Sequence, residues 1–225
     1  FLVAVFKNSR RRRGMFTTAL SQNAQNALAL LGSAHLLPKD TYLAGGSALA
    51  LHYGHRISID FDFFTPTHFI GKDIIQKLNK IGTFKLQQIA NKDTLLGLFN
   101  RVKFSLFLYE YPLVEKTVLF SNISIVSPED IAAMKLAAIM DRGTKKDFID
   151  LYFLSNRGIS IDKAFGYYEK KYKALTNNMY SLVKALSYFD DAEVVEMPDM
   201  IIKTSWENVK DFFKKEVVRL AEKYL

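Results

Sequence analysis

Apolar residues recur at helical spacing through Leu20, Ala24, Ala27, Leu28 and Leu31, so residues 15–34 predict a helix ending near Gly32. Thr41 to Ala44 predicts a short strand, followed at once by Gly45-Gly46 and a small helix from Ser47 to Tyr53. From Arg56 to Phe64 the chain alternates. Ile57, Ile59, Phe61 and Phe63 take one side, Ser58, Asp60 and Asp62 the other. A helix is expected over 70–81, and runs rich in Phe, Leu and Val near 83–90, 94–99, 101–109 and 118–126 predict strands.

After Ser127-Pro128 the period turns helical. Ser127 suits an N-cap, Pro128 the first turn, and Glu129 and Asp130 the positive end of the helix dipole. Helices are expected near 128–141, 144–156, 160–173, 177–189 and 204–224. The fold class is α+β, with a mixed-sheet α/β domain over 15–126 and an all-helical domain over 127–225.

Composition narrows the function without naming it. Hydrophobic residues make up 49% of the 225, enough for a sizeable core, and no apolar run approaches a membrane span. Cysteine is absent, which excludes disulfides and thiolate chemistry and leaves a reducing, cytoplasmic setting as the expectation. The formal charge of +8 invites a nucleic-acid reading, but Lys7 and Arg10 to Arg13 supply five of the 31 basic residues. Residues 1–14 read as a leader, with Met15 a sensible natural start; without them 26 basic residues face 23 acidic ones. The body is only mildly basic.

Candidate chemistry begins with Gly45-Gly46-Ser47, twelve intervening residues, then Asp60-Phe61-Asp62. Two acids at i and i+2 of a strand project to one face, where burial without a cation would be costly. Hard oxygen donors suit Mg²⁺, one or two ions, beside substrate phosphates. Glycines let backbone approach a phosphate, and a helix start offers amides and a favourable dipole. A lone acidic pair or a lone Gly-Gly is weak, since surface strands and turns carry both. Their conjunction across strand, turn and helix favours a triphosphate-and-metal site, with Arg56 able to pair an acid or touch a phosphate.

A second group is Lys135, inside the apolar run IAAMKLAAIM, with Arg142, Lys146, Asp147 and Asp150 beyond it. A long cation there needs a partner: an anionic triphosphate, or a salt bridge to an acid of the next helix. Lys170, Lys171 and Lys173 beside Tyr167, Tyr168 and Tyr172 suit either a solvated helix face or a phosphate backbone.

Together, LAGGSALAL (43–51), IDFDFF (59–64), SPEDIAAMK (127–135) and RGTKKDFIDLYF (142–153) resemble the AbiEii/AbiGii toxin family of nucleotidyltransferases. The likeness spans roughly residues 20–155. It implies a DNA-polymerase-β-like nucleotidyltransferase domain, a helical C-terminal domain completing the active site, and the toxin role of a bacterial toxin–antitoxin or abortive-infection system. It further implies a nucleoside triphosphate substrate, an acceptor that is tRNA or a protein side chain, and a separately encoded antitoxin. By position, Gly46 and Ser47 would hold the β- and γ-phosphates, Asp60 and Asp62 the metal, and Lys135 the triphosphate. Asp147 or Asp150 would serve as base or further ligand. One departure stands out: where many relatives place a third acid on a later strand, this chain offers Lys103 or Ser105. An inactive nucleotide- or RNA-binding module and a kinase are the competing classes, and the P-loop pattern is absent.

Overall fold

The computed structural model describes residues 11–12, 14–88 and 93–224, so part of the leader expectation and the end of the 83–90 strand lie outside the described residues. The chain divides into two compact units. One comprises residues 1–110 and 117–126; the other comprises 111–116 and 127–225.

The first unit is built on a seven-stranded mixed sheet. Its members are β3 (Tyr42–Ala44), β4 (Asp60–Thr65), β5 (Phe84–Gln88), β6 (Thr94–Phe99), β7 (Val102–Leu108), β8 (Val118–Phe120) and β9 (Ile123–Ile125). They run in the order β5-β6-β7-β4-β3-β9-β8, with β4·β7 and β3·β9 parallel and the other neighbours antiparallel. A separate two-residue ladder pairs β1 (Arg11–Arg12) with β2 (Met15–Phe16). Helix α1 (Gln22–Ala34) packs on β7 and β9, and α3 (Gly71–Asn79) on β5 and β6. Leu28, Leu31, Ile74 and Leu78 are buried with Phe61, Phe63, Phe104 and Phe99, the apolar half of the strand alternation.

Three expectations needed correction. Residues 15–20 are not helical: Met15 and Phe16 are spent on the ladder, Thr17–Ala19 is a 3₁₀ turn, and the Ser21 side chain caps α1 from Ala24 N. The 118–126 run is two strands, because Ser121 and Asn122 both adopt positive φ (48° and 59°) and turn the chain into a hairpin. Ile59 precedes β4 and is exposed, so the apolar alternation begins in earnest at Phe61.

The second unit is helical: α4 (Pro128–Asp141), α5 (Lys145–Asn156), α6 (Ile161–Tyr172), α7 (Leu175–Ala185), α8 (Asp190–Glu193) and α9 (Trp206–Tyr224). Phe148 on α5 meets the rings of Phe189, Trp206 and Phe213. The segment 111–116 joins this unit through Asp130. That carboxylate accepts from the Val114 and Glu115 amides, the Ser127 hydroxyl and Lys171 Nζ, which also reaches the Pro112 carbonyl. Among the described residues no helix is long and apolar enough to cross a membrane.

Candidate active site

Strand β3 ends at Ala44 and the chain turns directly into α2 (Gly45–Tyr53). Gly45 sits at φ +64°, and a Cβ there would meet Asp62 Oδ2 at 2.8 Å. Glycine is thus required twice, by backbone conformation and by the approach of the acid. A Cβ at Gly46 would lie 2.2 Å from Arg56 Nη2, so the buried Arg56 guanidinium backs the same turn. Ala44 gives α2 no side-chain cap, in contrast to Ser21, Ser127 and Ser160 on α1, α4 and α6. The start of α2 therefore offers amides and a positive dipole end without the usual hydroxyl upon them.

Asp60 and Asp62 share the half-buried face of β4, while Phe61 and Phe63 are fully buried on the other. Ser47 is buried. Its hydroxyl shares a 2.9 Å hydrogen bond with the Ser58 hydroxyl and donates to the Asp60 carbonyl, fixing α2 to the entry of β4. Ser58 was not singled out from the sequence, although its place on the Asp60–Asp62 side of the alternation is the signal that would have found it. His52 bonds the Val126 carbonyl at 2.7 Å, a structural tie from α2 to the end of β9.

The parallel register of β4 and β7 sets Lys103 opposite Asp60 and Ser105 opposite Asp62. The position of the expected third acid is thus held by a cation and a hydroxyl. Among the described residues no group of three or more His, Asp or Glu is placed so that it could hold a metal ion. Two carboxylates on one face, beside amides able to hold phosphate, nonetheless fit one Mg²⁺, which commonly takes one or two carboxylates plus substrate oxygens.

In the helical unit, Lys135 Nζ lies 2.9 Å from Asp147 and 2.7 Å from Asp150, all three buried. Asp147 also accepts from Arg142, at 3.1 and 3.3 Å, and from the Thr144 hydroxyl at 2.7 Å. Burial pushes the Asp147 carboxyl up, but the Lys135 charge and the Arg142 bond outweigh it and hold it at about 2. Lys146 stands half-buried outside these bonds, whereas its neighbour Lys145 lies over the Trp206 ring. Lys171 is neither a solvated nor a nucleic-acid-facing charge, since it is fully buried against Asp130, and Lys170 is held by the Val114 carbonyl.

The architecture is that of known nucleotidyltransferases. A structure described as a nucleotidyltransferase from H. pylori superposes with a TM-score of 0.55 at 17% identity, covering 91% of this chain and 97% of its own. The nucleotidyltransferase toxin MenT4 of Mycobacterium tuberculosis does so at 0.55 and 17%, covering 89% and 86%. At these identities the likeness is one of fold. The family described as "Nucleotidyl transferase AbiEii toxin, Type IV TA system" matches residues 28–223. The chain belongs to that family and is a nucleotidyltransferase of toxin type. It is also 41% identical over 189 residues to the uncharacterised protein aq_aa25 of Aquifex aeolicus, across 81% of this chain and 89% of that one.

Proposed function

We propose that the protein transfers a nucleoside monophosphate from a nucleoside triphosphate to an acceptor hydroxyl, on tRNA or a protein side chain, and releases pyrophosphate. The observation that carries this reading is the Asp62 carboxylate lying against the bare Gly45 Cα at the start of α2. A metal-holding acid and phosphate-binding amides thereby share one place. Asp60 and Asp62 would hold Mg²⁺, which would supply charge neutralisation for the triphosphate.

The chain's own groups do the rest. The amides of Gly45, Gly46 and Ser47 hold phosphate oxygens, and Ser47 contributes through its backbone because its hydroxyl is committed to the entry of β4. Arg56 stiffens the turn from behind. The acceptor oxygen bonds to the α-phosphorus, the bond from that phosphorus to the bridging oxygen breaks with its electron pair leaving on pyrophosphate, and the hydroxyl proton passes to solvent. Lys135, Arg142, Asp147 and Asp150 form a second polar centre required for transfer, with Lys146 beside it. Within it Asp147 holds Lys135 and Arg142 in place. A cytoplasmic setting and a separately encoded antitoxin complete the reading.

The test uses triphosphates labelled at the α- or γ-phosphate, with Mg²⁺ and cell lysate. Label from the α-position alone should reach an acceptor. Transfer of γ-label would make the protein a kinase, and binding without pyrophosphate release would make it a binding module.

A further inference from the structure

The strands beside β4 set the charge around its two acids. Parallel pairing places Lys103 of β7 beside Asp60 and Ser105 beside Asp62, while Phe61 and Phe104, paired between them, are buried on the opposite face. Lys103 and Asp60 therefore project to one face from strands roughly 4.8 Å apart. On its other side Lys103 meets Leu98 of β6, and Leu98 meets Lys85 of β5. In that row Asp60 is the acid and Lys103 the cation next to it.

Despite this placement the two do not pair. Lys103 is exposed and Asp60 half-buried, and among the described residues neither side chain makes an ion pair or a hydrogen bond. The Asp60 carboxylate stays open to a cation from solution, and the Lys103 ammonium keeps its three donors free on a four-carbon stem. A carboxylate at position 103 would add a ligand for a second divalent ion, since two-ion sites hold their ions about 3.5–4 Å apart. A fixed ammonium does the opposite. It repels a second divalent ion and brings its own positive charge to the same place. Ser105, a neutral hydroxyl, supplies no charge to reverse that.

We propose that Lys103 is a catalytic residue that stands where a second metal ion would, so that the chain works with one divalent cation. This rests on the nucleotidyl-transfer reading. Asp60 and Asp62 would hold that cation, and the Lys103 ammonium bonds a non-bridging oxygen of the α-phosphate beside the incoming acceptor oxygen. A lysine suits a phosphoryl oxygen as a point charge, and it stays protonated throughout. Its charge offsets the negative charge that builds on the phosphoryl oxygens as the acceptor attacks. That stabilisation is larger in the transition state than in the bound triphosphate, so Lys103 acts on kcat more than on triphosphate affinity.

The experiment counts ions as well as turnover, on the wild-type chain, Lys103→Met and Lys103→Asp. Methionine keeps the apolar stem, and at an exposed position both variants should keep their melting temperature. Mn²⁺ bound per chain is read by electron paramagnetic resonance with each of the four α,β-methylene nucleoside triphosphates in turn, which cannot be cleaved at the α-phosphorus. Wild type and Lys103→Met should each hold one ion. Lys103→Asp should hold two, with the spectrum of a spin-coupled pair. Transfer of α-label should fall about 100-fold or more in Lys103→Met, in kcat rather than in KM for the triphosphate. Two ions in the wild-type chain, one in Lys103→Asp, or wild-type transfer by folded Lys103→Met would each overturn the proposal. If the counts come out as expected but the wild-type chain labels no acceptor, the transfer reading falls and Lys103 stands as the second cation of a triphosphate-binding site.

Discussion

A single methyl group at position 46 would sit 2.2 Å from an Arg56 nitrogen that is itself buried. Gly46→Ala should therefore displace the guanidinium behind the turn, cost about 1–3 kcal/mol in urea unfolding and weaken triphosphate binding measured by calorimetry. Asp60→Asn and Asp62→Asn remove charge from a half-buried face without changing volume. Each should leave the fold intact and lower the transfer rate by about 100-fold or more, read from α-label incorporation. Neither effect follows from composition. The alternation of IDFDFF put both acids on one side, but that Asp62 closes on Gly45 is a consequence of β3 and β4 pairing Ala44 with Asp62.

Among the elements, α4 and α5 are joined through a buried charge group. Lys135→Met leaves Asp147 and Asp150 buried without the ammonium that bridges them, and should cost about 3–5 kcal/mol of unfolding free energy in denaturant titration. Acid should act on the same group. The Asp147 carboxyl lies at about 2 against an ordinary 3.8, so the native state holds its charge more strongly than the unfolded chain. Its contribution is complete above 3.8 and fades as pH falls toward about 2, on the order of 2 kcal/mol. Between those limits the urea midpoint of the wild-type chain should fall more than that of Asp147→Asn; parallel decline would refute the assignment. The position of Lys135 in an apolar run announced a partner, and the sequence left acid and triphosphate both open. Packing of α5 on α4 supplied two acids. In α6, Asp162 receives Arg219, Lys223 and Tyr224 from the last turns of α9, and burial, which raises its carboxyl, is outweighed by these bonds.

For the whole molecule, membership of a toxin family makes growth the simplest readout. Induced expression in bacteria should arrest growth, and the Asp60→Asn/Asp62→Asn double variant at equal abundance should not. Sequence by itself determined what depends on local period and local chemistry. It set the strand that presents Asp60 and Asp62, the helix that follows Gly45-Gly46, the change of character at Ser127-Pro128, and the departure at Lys103 and Ser105. These are legible because side-chain direction within an element follows from spacing alone. Tertiary structure decided everything that needs a partner from another element. Lys171, which looked like one of a run of surface lysines, is buried because Asp130 meets it 41 positions away in the chain. Ser47 is turned inward because β4 brings Ser58 and the Asp60 carbonyl to it. Lys103 stands beside Asp60 only because β7 pairs with β4, in a strand order the chain does not follow. Register is a property of pairing, and no single segment contains it.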